Sequence, residues 1–145
     1  MTLGAGVAVA RAISSLTGLD PSLKWPNDVQ IEGRKVAGIL TESRSSGNRL
    51  KNSTISIGLN VHLAEQEFPP ELREIATSIQ AAGGRVKRGE LLGEILCQLN
   101  EVSGLTAGAV HSAWREKCGQ WGHRVSVERD HGITEGLAVD LAEDG

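Results

Sequence analysis

The sequence predicts an α+β fold: a mixed β-sheet flanked by helices, followed by the start of a small β-unit. Three observations carry that expectation. Residues 3–16 and 88–118 place apolar side chains at helical spacing, residues 54–61 alternate with a period of two, and the chain returns to alternation from His123 onward. At 145 residues, and with roughly 100 to 200 residues per domain, the chain has room for one domain, or one and a fragment. A chain of this size buries roughly two thirds of its unfolded surface and needs no metal or disulfide to hold a core.

Leu3 to Leu16 reads as a helix of small residues, with Val9, Ile13 and Leu16 on one stripe and Gly18 as its stop. Gly4 and Gly6 weaken its start but allow another backbone to come close. Asp20-Pro21-Ser22 is a turn, and Leu23-Lys24-Trp25 is a short extended piece closed by Pro26. Val29 to Ile31, Glu32-Gly33, then Lys35 to Ser43 has the layout of a β-hairpin whose glycine supplies a positive φ. Ser45 to Ser53 reads as a polar loop. Thr54 to Val61 is the clearest strand, with Ile55, Ile57, Leu59 and Val61 on a core face and Gly58 and Asn60 on the other.

Pro69 and Pro70 mark a helix start, and Glu71 to Ala81 continues as an amphipathic segment ending at Gly83-Gly84. Arg88 to Val102 sets Leu91, Leu92, Ile95, Leu96, Leu99 and Val102 at helical spacing, and a second helix runs from Gly104 to about Cys118. This helical hairpin is expected to form an outer layer over the sheet. His123 to Glu128 and Ile133 to Leu141 alternate around His131-Gly132, and Glu143-Asp144-Gly145 is a hairpin-turn signature. A sheet of only these strands is small and leaves edges unpaired, so the chain reads as a fragment of a longer architecture.

Composition removes several function classes. Fifteen Lys plus Arg against eighteen Asp plus Glu give a net charge of −3, and the basic residues are scattered. No cationic face for nucleic acid or anionic lipid is evident. The apolar run Leu3 to Ala10 is short, is followed by Arg11, and lacks a basic start. It is neither a signal peptide nor a membrane span, so the expected compartment is the cytoplasm. Cys97 and Cys118 fit neither a disulfide framework nor a zinc site, and His62, His111, His123 and His131 share no ligand spacing, so no metal site is expected. There is no nucleophile elbow and no phosphate-binding Gly-Lys-Ser/Thr loop.

One polar cluster flanked by turns remains: Lys24-Trp25-Pro26-Asn27-Asp28, then Lys35 and Gly38, and later Gly58 and Asn60. Residue types alone read these blandly. Lys35 is a solvated hairpin lysine, Gly38 a bulge glycine, Asn27 and Asp28 an Asx-turn, Asn60 a strand-end cap and Trp25 a core plug.

The strings KWPNDV, RKVAGILTE and SIGLNV, in this order, resemble the successive signatures of the biotin protein ligases. That family attaches biotin to the carboxyl-carrier domain of biotin-dependent carboxylases. The resemblance implies a partial biotin/lipoate ligase-like catalytic domain over residues 1–120, without its upstream biotin-contacting strands and Gly/Arg-rich loop. It implies the beginning of an SH3-like domain over residues 121–145. The implied reaction activates biotin with ATP and Mg²⁺ to biotinyl-5′-adenylate and then transfers it to a lysine of a biotin carboxyl carrier protein.

What the resemblance implies for single residues follows the chemistry. Two anions must meet in line, and a fixed cation between carboxylate and phosphate answers their repulsion; Lys35 resembles the family's active-site lysine. Asp28 joins it as the second catalytic residue, positioning Mg²⁺-ATP or accepting a proton from the incoming amine. Lys35, Gly38 and Ile39 are the expected biotin contacts, Gly38 giving access to the backbone and Ile39 with Leu40 an apolar wall. Trp25, Asn27, Asp28, Gly58 and Asn60 are the expected adenylate contacts, the Asn60 amide suiting an adenine edge. Trp114 and Trp121 read as packing. By analogy, a homodimer through a sheet edge such as Thr54 to Val61 is expected. The alternative is a non-catalytic domain that keeps part of the pocket or only pairs with another subunit.

Overall fold

The computed structural model describes residues 1–46, 49–129, 132–142 and 145. In chain order the elements are α1 (Thr2–Thr17), β1 (Ser22–Lys24), β2 (Asp28–Ile31), β3 (Arg34–Ser46), β4 (Arg49–Leu59), α2 (Arg88–Ser103), α3 (Ala107–Lys117), β5 (Arg124–Arg129) and β6 (Gly132–Leu137). The strands form a four-stranded sheet in the order β1-β2-β3-β4 and a separate β5-β6 ribbon. All these pairings are antiparallel. The parallel component expected of a mixed sheet is confined to isolated bridges, Leu23 with Cys118 and Lys35 with Ala76.

Helix α1 is buried on nearly every side, because it lies between the sheet and the α2–α3 hairpin. Its small residues make that possible. A Cβ at Gly4 would stand 3.0 Å from Val102 Cγ1, and one at Gly6 3.4 Å from Leu23 Cδ2. Val9 and Ile13 are fully buried as expected, whereas Leu16 in the last turn is exposed. Gly18 ends the helix with φ 71°, its N–H donating to Ser14 O.

The helical hairpin packs mainly on α1 rather than directly over the sheet, so the layer order differs from the sequence expectation. The side chains of α2 separate accordingly: Leu91, Ile95 and Val102 are buried, while Leu92 and Leu96 lie on the outer side. Thr106 caps α3 by accepting from Ala109 N–H. Trp114 is buried and meets Trp121 edge to face at 6.0 Å, the packing role expected for both.

Three other expectations are corrected by tertiary pairing. Residues 45–53, read as a loop, continue β3 and β4, which pair from Ala37–Leu59 out to Ser46–Arg49; Gly47 and Asn48 lie outside the described residues. Serine-rich composition did not oppose a strand, because the ladder bonds are made by the backbone and Ser43 and Ser53 add a cross-strand hydroxyl pair at 2.7 Å. The apolar face of β4 is only partly core, since β4 is an edge strand and Ile55 stays exposed.

Residues 71–81 do not form a helix. After a single turn at Pro70–Leu72 the chain becomes a strap along the sheet. Three of its backbone amides bond to the sheet and to the residues just past β4, Thr77 N–H donating to Lys35 O, Ile79 N–H to Asn60 O and Gln80 N–H to Val61 O. Beyond β6 the chain folds back on α3, with Arg115 paired to Asp140 at 2.9 Å and His111 Nε2 donating to Ala142 O at 2.8 Å. The readings placed on His131 and on the Glu143-Asp144 turn fall outside the described residues. Among the described residues no helix is long and apolar enough to cross a membrane.

Candidate functional site

The β2–β3 hairpin turns on Glu32-Gly33, both at positive φ (51° and 76°), the geometry that matches the twist of paired strands. The next feature is decisive for the site. Val29 pairs with Ala37 but Gln30 pairs with Lys35, so Val36 is an extra residue, a β-bulge. In a regular strand Lys35 and Gly38 would point to opposite faces; the bulge turns Lys35 onto the face that Gly38 and Asp28 share. There the Lys35 Nζ stands 2.5 Å from Asp28 Oδ1. The Asp28 side chain is mostly buried and Lys35 is half exposed, so the ammonium faces the site while its counter-ion is held behind it.

Gly38 supplies the space. A Cβ there would lie 3.0 Å from both Cε and Nζ of Lys35 and 3.7 Å from Asp28 Oδ1. Gly58 is its cross-strand neighbour, and a Cβ on Gly58 would meet nothing closer than Gly38 O at 4.0 Å. Asp28, Gly38 and Gly58 thus form one row across three strands, an ion pair at one end and bare backbone at the other. A shallow cavity of about 290 Å³ opens beside the pair, lined by Lys24, Asp28, Gln30, Lys35, Glu74 and Ile75.

The remaining predicted residues are placed as follows. The Asn27 amide donates to Ile39 O at 2.9 Å, and Asn27 O accepts from Ile39 N–H, so Asn27 extends the β2–β3 ladder and fixes the turn before Asp28. Asn60 Nδ2 donates to Thr77 O at 3.0 Å, and its N–H donates to Val36 O, anchoring the bulge. The Ile39 side chain is not brought to the row: it is buried in the core, within reach of Gly6 on α1, because it occupies the opposite phase of β3. Leu40, on the Gly38 phase, is the exposed apolar side chain of that face. Trp25 also stands apart, donating from Nε1 to Gly145 O and lining a different cavity with Trp114 and Trp121.

Gln30, Glu74 and Ile75 were not anticipated from sequence, since the strap that brings the last two read as a helix. Among the described residues no group of three or more acidic, His or Cys side chains could hold a metal ion.

Residues 2–60 match the family described as the biotin/lipoate A/B protein ligases. The bifunctional ligase/repressor BirA of Bacillus subtilis is 43% identical over 97 residues, covering 66% of this chain and 30% of the relative. The biotin–acetyl-CoA-carboxylase ligase of Mycobacterium tuberculosis is 30% identical over 150 residues, covering 100% of this chain and 54% of its own. The biotin protein ligase of Aquifex aeolicus, solved in complex with biotin and ATP, superposes with a TM-score of 0.81 at 29% identity, over 99% of this chain and 61% of that one. The chain thus spans at most about half the length of these curated relatives.

Proposed function

From a chain whose residues 2–60 belong to the biotin/lipoate A/B protein ligase family, we propose the chemistry of a biotin protein ligase acting on biotin and Mg²⁺-ATP. The observation that carries the reading is the Lys35 ammonium, paired with Asp28 and lying over bare backbone at Gly38. In the first step a biotin carboxylate oxygen attacks the α-phosphorus of ATP, the bond to the leaving oxygen breaks, and pyrophosphate departs. Both reactants are anionic, and a preorganised cation at their meeting point offsets the repulsion and the charge gathering on the phosphoryl oxygens. Lys35 is that cation. Gly38 and Gly58 admit flat ligand rings against the sheet, and Leu40 offers them apolar contact.

In the second step the amine of a carrier lysine attacks the biotinyl carbonyl and adenylate leaves. The amine must first lose a proton, and Asp28 is the carboxylate on hand to accept it. Asn27 and Asn60 act through the backbone they fix, each leaving an amide oxygen toward the nucleotide; the cation accompanying ATP meets Asp28. Residues 1–120 are assigned to the catalytic unit and residues 121–145 to the beginning of an SH3-like unit. The acceptor is a biotin carboxyl carrier protein, the compartment the cytoplasm, and the β4 edge the place where two copies would pair.

Biotin-dependent exchange of labelled pyrophosphate into ATP tests the first step directly. Exchange is expected for the chain, and Lys35→Ala is expected to lower it by about 100- to 1,000-fold, the scale of removing one group that stabilises developing charge. Near-normal exchange by that variant removes Lys35 from the chemistry. No exchange at high protein concentration assigns the chain to the non-catalytic alternative.

A further inference from the structure

We propose that the strap Ile75–Ser78 is the positioning element of this site, and that the buried hydroxyl of Ser78 sets where the Lys35 ammonium stands. Its catalytic consequence rests on the ligase reading above; its geometry does not.

Strand β4 ends opposite Ala37, so the backbone of Lys35 has no strand on that side. Unpaired backbone groups at a sheet edge need partners. The strap supplies both: Lys35 N–H donates to Ile75 O and Lys35 O accepts from Thr77 N–H, each at 2.8 Å. This clamp closes on the residue beside the bulge, where the ladder is otherwise interrupted. The position of the lysine along β3 is therefore held by the strap as much as by β2.

The strap is in turn pinned from below. Asn60 holds it through Thr77 O and Ile79 N–H. Ser78 has no exposed surface, and its Oγ donates to Leu63 O at 2.5 Å while accepting from Ala81 N–H at 2.9 Å. A buried hydroxyl is tolerated only when its bonds are made, and losing it strands those partners in the core. Ile75 at the start of the strap and Glu74 just before it line the cavity beside the ammonium. A shift of the strap thus moves the wall and the cation together.

The test is Ser78→Ala, read by acetic anhydride labelling of Lys35 relative to Lys87, whose side chain is 85% exposed, together with pyrophosphate exchange. With circular dichroism unchanged, the Lys35 to Lys87 labelling ratio is expected to change severalfold. Exchange is expected to fall by about 10- to 100-fold, the range in which small misplacements of a catalytic group act. An unchanged labelling ratio in the folded variant overturns the proposal. If the variant does not fold, amide hydrogen exchange of the unaltered chain decides: Lys35 and Thr77 amides protected together with Ile39 support the clamp, and loop-like rates refute it. A changed ratio in a chain whose unaltered form catalyses no exchange leaves the positioning role standing and sinks the ligase reading instead.

Discussion

A single absent methyl group gives the ammonium of Lys35 its place. At Gly38 a Cβ would press on the tip of the lysine, 3.0 Å from Nζ, and that tip is flexible, so the neighbour that must move is the functional group itself. Gly38→Ala is therefore expected to separate stability from activity. Thermal unfolding should change by no more than about 0.5 kcal/mol, because only the flexible end of the Lys35 side chain must give way. Pyrophosphate exchange should drop at least about tenfold because the cation is displaced. Gly93→Ala on α2 is the control, since a Cβ there meets nothing within 4 Å and lies away from Lys35. Equal exchange by both variants would show that the space at Gly38 is not reserved for the ammonium.

At the scale of elements, the β2–β3 hairpin carries the site and depends on its turn. Gly33 sits at φ 76° with open space around it, so a side chain there meets backbone strain rather than a clash. Gly33→Ala is expected to cost about 1 to 2 kcal/mol, the left-handed penalty for an L-residue, visible as a lower midpoint in urea with an unchanged slope. No loss of stability would mean that the turn adopts another geometry. This hairpin was legible in the sequence because turn chemistry is local: Glu-Gly between two alternating runs dictates it. The bulge was not: residue types offered Gly38 for it, but Gly38 pairs regularly with Asp28 and the extra residue is Val36, since a bulge is a property of pairing, and strict alternation put Lys35 and Gly38 on opposite faces. The strap failed for a related reason. Residues 71–81 satisfy a helical pattern, but the amides of Thr77, Ile79 and Gln80 find partners at Lys35 in the sheet and at Asn60 and Val61 just beyond β4, a competition that no local pattern records. Likewise the motif strings pointed to Trp25, Asn27, Asp28, Lys35, Gly38, Ile39, Gly58 and Asn60 together, whereas pairing sets Asp28, Lys35, Gly38 and Gly58 on one face and phase alone sends Ile39 into the core.

Across the whole molecule, the layers meet where α3 ends: Cys118 forms a parallel bridge with Leu23 of β1, and Gly119 N–H donates to Leu23 O. This seam joins the helical layer to the sheet, and the Cys118 thiol reports on it. Burial pushes that thiol's pKa up, against the opposing pull of the Gln120 and Trp121 backbone amides. Thiolate is the reactive form, so the folded seam protects Cys118, whereas Cys97 is exposed on α2. Iodoacetamide at mildly alkaline pH is expected to modify Cys97 well before Cys118, followed by mass spectrometry of the two peptides, and denaturant should erase the difference. The pH dependence has a definite sign. The unfolded chain releases the Cys118 proton first, so the folded state binds more protons, and stability falls as pH rises through the ordinary thiol range toward the raised value. Equal alkylation of both cysteines in the native protein would mean that the seam between α3 and β1 opens in solution, leaving α1 as the helical backing of the sheet that carries Lys35.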